Sequence, residues 1–157
     1  MAVKPVPDGY QTVVPYLVST GVEKLLVFLQ ASFGAKITQE PMRRSDGTIM
    51  HTEVQIGDSR VMMGEACDKA PAMPASMYLY VPNCDELYQN AMKAGATSIM
   101  EPTTQFYGDR NAGVKDPSGN TWWLATHVED VSQEELKKRA AAMKPQPCNF
   151  TGMPACA

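Results

Sequence analysis

His51 and Glu53 stand two residues apart in the stretch Ile49 to Ile56, so on a strand they share one face, about 7 Å apart. An imidazole beside a carboxylate is a general base with its orienting acceptor, a pairing that works near neutral pH without a cofactor. Met50, Val54 and Ile56 suit a helix-covered face and leave His51, Glu53 and Gln55 on the other. The same alternation also suits a solvated sheet edge. Tyr78 and Tyr80 alternate in a similar way, and their hydroxyls need partners if buried. Asp109 beside Arg110 reads as a turn or a local ion pair on a loop that could close over a ligand. His127, at a strand end, reads as a surface or hinge residue.

These groups depend on the elements that carry them. Tyr107 to Asp130 reads as a hairpin turning at Asp116-Pro117-Ser118-Gly119, where Pro pre-sets one dihedral and Gly takes positive φ. The strand after that turn has Thr121, Trp123, Ala125 and His127 on one face and Trp122, Leu124 and Thr126 on the other. Earlier in the chain, Gln11 to Ser19 reads as a strand. Thr20 with Glu23 fits a capping box, and Val22, Leu25, Leu26, Leu29 and Phe33 follow at helical spacing up to Gly34. Strands at about 35–43, 48–56 and 60–65 complete a βαβββ order.

The order then repeats. Met77–Val81 answers Pro15–Ser19, Asn83 with Glu86 answers Thr20 with Glu23, Gly95-Ala96 answers Gly34-Ala35, and Glu101-Pro102 answers Glu40-Pro41. Two modules with one helix each cannot close separate cores, so they are expected to pair, sheet beside sheet, around a shared concavity. The fold class is α+β, with a single domain over 1–157: a first βαβββ module at 10–66, a second at 75–128, and a C-terminal helix and extended tail at 131–157. In that helix Ser132 with Glu135 forms a capping box, and Leu136, Ala140 and Met143 give a docking stripe. The Pro-rich tail beyond Lys144 is expected to lie against a second subunit.

A net charge of −3 with no basic run argues against nucleic acid. No apolar run reaches membrane-span length and no signal-peptide core opens the chain, which places it in the cytoplasm. Cys67, Cys84, Cys148 and Cys156 make no CxxC pair and read as free thiols.

KPVPDGYQTVVPYLV, TIMHTEVQIGDSRVMMGEA and QFYGDRNAGVKDPSGNTWWLATHVEDVSQEEL together resemble the vicinal-oxygen-chelate superfamily of glyoxalases, extradiol dioxygenases and bleomycin-resistance proteins, in particular its PhnB-like branch. The resemblance implies curved mixed sheets around a concave cavity, and a homodimer. The loose connection 66–75 would let modules pair across chains. It also implies four metal-ligand positions, which fall here on Val14, Met63, Ser76 and Trp123. Three of these side chains cannot hold a hard divalent ion and Ser is a poor ligand, so neither a metal nor another cofactor is expected. If those positions point inward, so do Tyr16, Glu65, Tyr78, Tyr80 and His127. The ligand-binding set is then Tyr16, Met63, Glu65, Tyr78, Tyr80 and Trp123, with His51 and Glu53 as the catalytic candidates. Three readings follow: a metal-free small-molecule-binding protein, which is preferred; a metal-dependent lyase, isomerase or dioxygenase with a rearranged site built from some of His51, Glu53, Glu65 and His127; and a metal-free acid–base enzyme using His51 and Glu53.

Overall fold

Val22, Leu25, Leu26, Phe28, Leu29 and Phe33 form the buried stripe of helix α1 (Val22–Phe33) in the computed structural model, which describes residues 3–143. The stripe lies on a sheet of β1 (Tyr16–Ser19), β2 (Lys36–Arg43), β3 (Ile49–Ile56) and β4 (Ser59–Glu65), ordered β1-β4-β3-β2. β1 runs parallel to β4 and the other pairs are antiparallel. The second module repeats this with β5 (Ser76–Tyr80), α2 (Cys84–Lys93), β6 (Thr97–Thr104), β7 (Asp109–Lys115) and β8 (Thr121–His127), in the order β5-β8-β7-β6. The expected α+β architecture of two βαβββ modules is therefore present.

The modules share one core. α1 packs on α2, the Phe33 and Trp122 rings lie 5.2 Å apart between centroids, and the buried residues of both modules form one cluster. At the seam, the edge strands β1 and β5 belong to separate sheets, and the Val18 carbonyl accepts instead from Met73 N, in the connection ahead of β5, at 3.0 Å. The turn after β7 clamps this seam. Asp116, 4% exposed, accepts from Ser118 N, Asn120 N, Asn120 Nδ2 and, at 2.8 Å, Trp122 Nε1. Asn120 accepts in turn from Ala75 N, and its Nδ2 reaches Ser19 Oγ at 3.4 Å.

Several local expectations change. The first strand begins at Tyr16 rather than Gln11. The Thr20–Glu23 capping box does not form: Gly21 is the N-cap in the left-handed region at φ 77, and Glu23 pairs with Arg43 at 2.6 Å. Asn83 and Ser132 do cap α2 and α3 (Gln133–Ala142), accepting from Glu86 N and Glu135 N. α3 buries no side chain, so its apolar stripe is not what holds it. Arg139 does, with Nη2 on Glu129 at 2.7 Å, Nε on Glu135 at 3.0 Å and Nη1 on the Phe106 carbonyl. The tail and its expected docking on a second subunit lie outside the described residues. Among those residues no helix is long and apolar enough to cross a membrane.

Candidate functional site

On the first sheet, strand register sorts the side chains by face. Leu17, Val54 and Met63 lie under α1, and their neighbours Tyr16, Glu53 and Met62 share the helix-free face. A register shift at Met50 keeps Ile49 in the core while His51 joins Glu53; Met50 is exposed, not helix-covered as its place in the alternation suggested. The result is a chain of hydrogen bonds. Tyr16 Oη lies 3.3 Å from His51 Nδ1, His51 Nε2 lies 3.2 Å from Glu53 Oε1, and Tyr10 Oη donates to Glu53 Oε2 at 2.5 Å. Arg60 stands 3.6 Å from the same carboxylate and 4.3 Å over the Tyr10 ring.

Glu53 is only 5% exposed, and burial pushes its carboxyl up. Hydrogen bonds from Tyr10 and His51 and the charges of His51 and Arg60 outweigh this and hold it below the usual carboxylate range. The hydrogen bond to Glu53 in turn raises the Tyr10 phenol. With Glu53 ionised, the contact at Nε2 calls for a proton on that nitrogen, and in the neutral imidazole Nδ1 is then the atom that accepts from Tyr16. Gly64 makes the approach possible: a Cβ there would meet the Met50 carbonyl and the Tyr16 hydroxyl.

The second sheet carries a different cluster on its helix-free face. Asp109, 4% exposed, accepts from Tyr80 Oη at 3.0 Å and Tyr78 Oη at 3.5 Å, and its other oxygen lies 2.8 Å from His127 Nδ1. His127 Nε2 lies 3.0 Å from Asp130. Asp130 first and Asp109 second raise the imidazole above its ordinary value, and Asp109 raises the Tyr80 phenol. Asn111 donates to Tyr107 Oη at 2.6 Å; burial, followed by the neighbouring Tyr78, pushes that phenol up to about 12.

The two faces correspond strand by strand. Tyr16 sits opposite Met62, which faces Glu53; Tyr78 sits opposite Trp123, which faces Gly113. His51 therefore corresponds to Asn111, and Glu53 to Gly113, where the missing side chain admits the Trp123 ring.

The structure thus brings Tyr16, His51 and Glu53 together in one module, and Tyr78, Tyr80 and Trp123 on one face of the other. It does not bring Met63 and Glu65 to either face. Met63 is fully buried in the core beside Leu17, because the residue opposite Tyr16 is Met62. Glu65 turns to the start of α1 and accepts from Gly21 N at 2.7 Å and Val22 N at 2.9 Å. Tyr10, Arg60 and Asp109 were missing from the expected site, and His127, expected to face inward, was left out of the binding set. Asp109 does not pair with Arg110, which reaches across to Asp85 at 2.7 Å.

Between the modules lies a groove of about 650 Å³, lined by residues of the lead-in to β1, the β3–β4 turn, β5 and the helices. Its walls are apolar, with Val13, Phe33, Ile56, Leu79 and Leu87 among them, and Tyr78 and Tyr80 also border it. The donor set at the four implied metal positions does not fit a divalent ion: Met63 is core, and Trp123 lies against Gly113. Among the described residues no three His, Cys, Asp or Glu side chains gather as a metal site would require.

Residues 12–124 match the sequence profile of the Glyoxalase/Bleomycin resistance protein/Dioxygenase superfamily. Uncharacterized protein Mb0911c of Mycobacterium bovis is 29% identical over 146 residues, covering 84% of this chain and 91% of that one. The crystal structure of TioX from Micromonospora sp. ML1 overlays with a TM-score of 0.62 at 22% identity, over 75% of this chain and 99% of that one. A superfamily member from Sphaerobacter thermophilus overlays at 0.59 and 19% identity, over 74% of this chain and 98% of that one. By its profile match and its paired modules, the chain belongs to the Glyoxalase/Bleomycin resistance protein/Dioxygenase superfamily.

Proposed function

We propose that this is a metal-free small-molecule-binding protein of the glyoxalase/bleomycin-resistance type, which takes an organic ligand into the groove between its modules. The observation that carries the reading is the groove itself: its volume suits a small organic molecule, its walls are apolar, and the aromatic pair Tyr78 and Tyr80 borders it. Titration of the isotope-labelled chain with a panel of aromatic metabolites and antibiotics tests it by amide shifts. Saturable shifts at Leu79, Val81 and Leu87 without turnover are expected, and a panel with no such shifts sinks the reading.

A second reading is favoured by one observation, the continuous Tyr16–His51–Glu53–Tyr10 chain. It is a metal-free acid–base enzyme in which Glu53 orients His51, and His51 Nδ1 serves Tyr16, the half-exposed residue at the end of the chain. His51→Asn is the informative substitution, because the second module already holds Asn at the corresponding position. Loss of turnover with unchanged unfolding supports this reading; unchanged turnover removes it.

Placement in the PhnB-like branch, a cytoplasmic location and homodimerisation belong to the same proposal. The quoted segments support the branch and, through it, the homodimer.

A further inference from the structure

We propose that the groove's ligand is an organic cation, a protonated amine on an apolar body. The inference rests on the binding reading above and adds the ligand's charge and hydrogen-bonding sense.

Charge comes first. Asp58 is the one formally charged side chain among the residues lining the groove; no Lys, Arg or His is among them. An anionic ligand would leave water with no cation to receive it, at a cost that the apolar walls cannot offset. A cation meets an acid and two aromatic faces instead.

Hydrogen-bond direction points the same way. Each side-chain donor group of the lining makes a hydrogen bond inside the protein, the Gln11 amide through one of its two N–H bonds. Tyr80 and Tyr78 direct their hydroxyl protons to Asp109, Trp122 gives its N–H to Asp116, Ser59 gives its hydroxyl to Asp58 at 2.8 Å, and Gln11 Nε2 donates to the Arg60 carbonyl at 2.9 Å. What the side chains keep for a ligand is chiefly acceptor capacity, on the Tyr80 phenol oxygen and the Asp58 carboxylate, since the Tyr78 oxygen already accepts from Asn111 Nδ2 at 3.4 Å. An ammonium group is a donor on every N–H and matches that surface; a carboxylate or phosphate, all acceptor, opposes it.

The Tyr pair adds a further term. The Tyr78 and Tyr80 rings meet edge to face at 5.4 Å between centroids, and Tyr80 is 68% exposed, so ring surface is open to a cation. Elsewhere along the lining, Val13, Phe33, Ile56, Leu79 and Leu87 suit a hydrocarbon or aryl body.

Three probes with one body and different heads test this on the full chain: 4-phenylbutylammonium, 4-phenylbutanol and 4-phenylbutanoate, titrated at neutral pH with amide shifts as the readout. The ammonium probe is expected to bind about tenfold more tightly than the alcohol, and the carboxylate more weakly than the alcohol. Asp58→Asn, at an exposed turn, is expected to weaken the ammonium probe several-fold and leave the alcohol unchanged. Equal affinity for the three heads, or a preference for the carboxylate, overturns the cation assignment while leaving the groove as a binding site. Absence of binding by all three removes the assignment together with the binding reading.

Discussion

Glu65 separates a ligand-binding role from a structural one. Its two carboxylate oxygens accept from Gly21 N and Val22 N, the first amides of α1, at 2.7 and 2.9 Å. No side chain at the N-cap position does this work, because Gly21 has none. Glu65→Ala therefore removes the cap and the negative charge at the positive end of the helix together. Loss of a cap costs about 0.5–2 kcal/mol and loss of a favourable charge at a helix end about 0.3–1 kcal/mol. The two effects overlap, so the expected loss is about 2 kcal/mol, or about 4–8 °C in Tm for a chain of this size. Glu65→Gln keeps an acceptor but not the charge and is expected to lose about half as much. Urea unfolding and a thermal melt measure both variants, and titration with a groove ligand measures binding. Lower stability with wild-type affinity is expected. Unchanged stability, or lost affinity at full stability, would refute the cap assignment and return Glu65 to the ligand set.

Gly113→Ala should cost about 1–3 kcal/mol, since the strand backbone tolerates Ala but the new Cβ overlaps the Trp123 ring. A red shift in Trp emission should accompany the loss, and an unchanged spectrum at full stability would mean that the ring does not rest there. His127 sets a pH dependence. Asp130 and Asp109 raise its folded pKa above the ordinary 6.5, so its stabilising contribution is complete below that value and is lost as pH rises through the raised one. Tm should fall across that window more steeply in the wild type than in His127→Gln, and identical slopes would discount the pair. Sedimentation at micromolar concentration is expected to show a dimer; a monomer at every concentration counts against the homodimer.

Local physics made much of the fold legible. The βαβββ repeat, the Asn83 and Ser132 caps and the Asp116–Gly119 turn all follow from short-range spacing, because a cap, a turn or a two-residue alternation is settled by residues within one turn of each other. His51 and Glu53 were recognisable as a pair for the same reason. Face assignment was not, because alternation gives parity without saying which parity meets the helix. Carrying the family's ligand position onto Met63 placed Met63, and Glu65 with it by alternation, on the wrong side, whereas the parallel register of β1 and β4 opposes Tyr16 to Met62.

The amino-acid sequence by itself determined the elements, their order and the duplicated module, since these depend on periodicity and capping. Only the tertiary structure decided which groups meet. Tyr10 reaches Glu53 across 43 residues of chain, and Tyr80 reaches Asp109 across 29. Glu65 serves a helix that begins 43 residues before it. Such encounters depend on how strands return beside one another and how two sheets share a core, and no window of local sequence contains that information. The groove is the clearest case, because its walls come from both modules and it exists only once they are packed together.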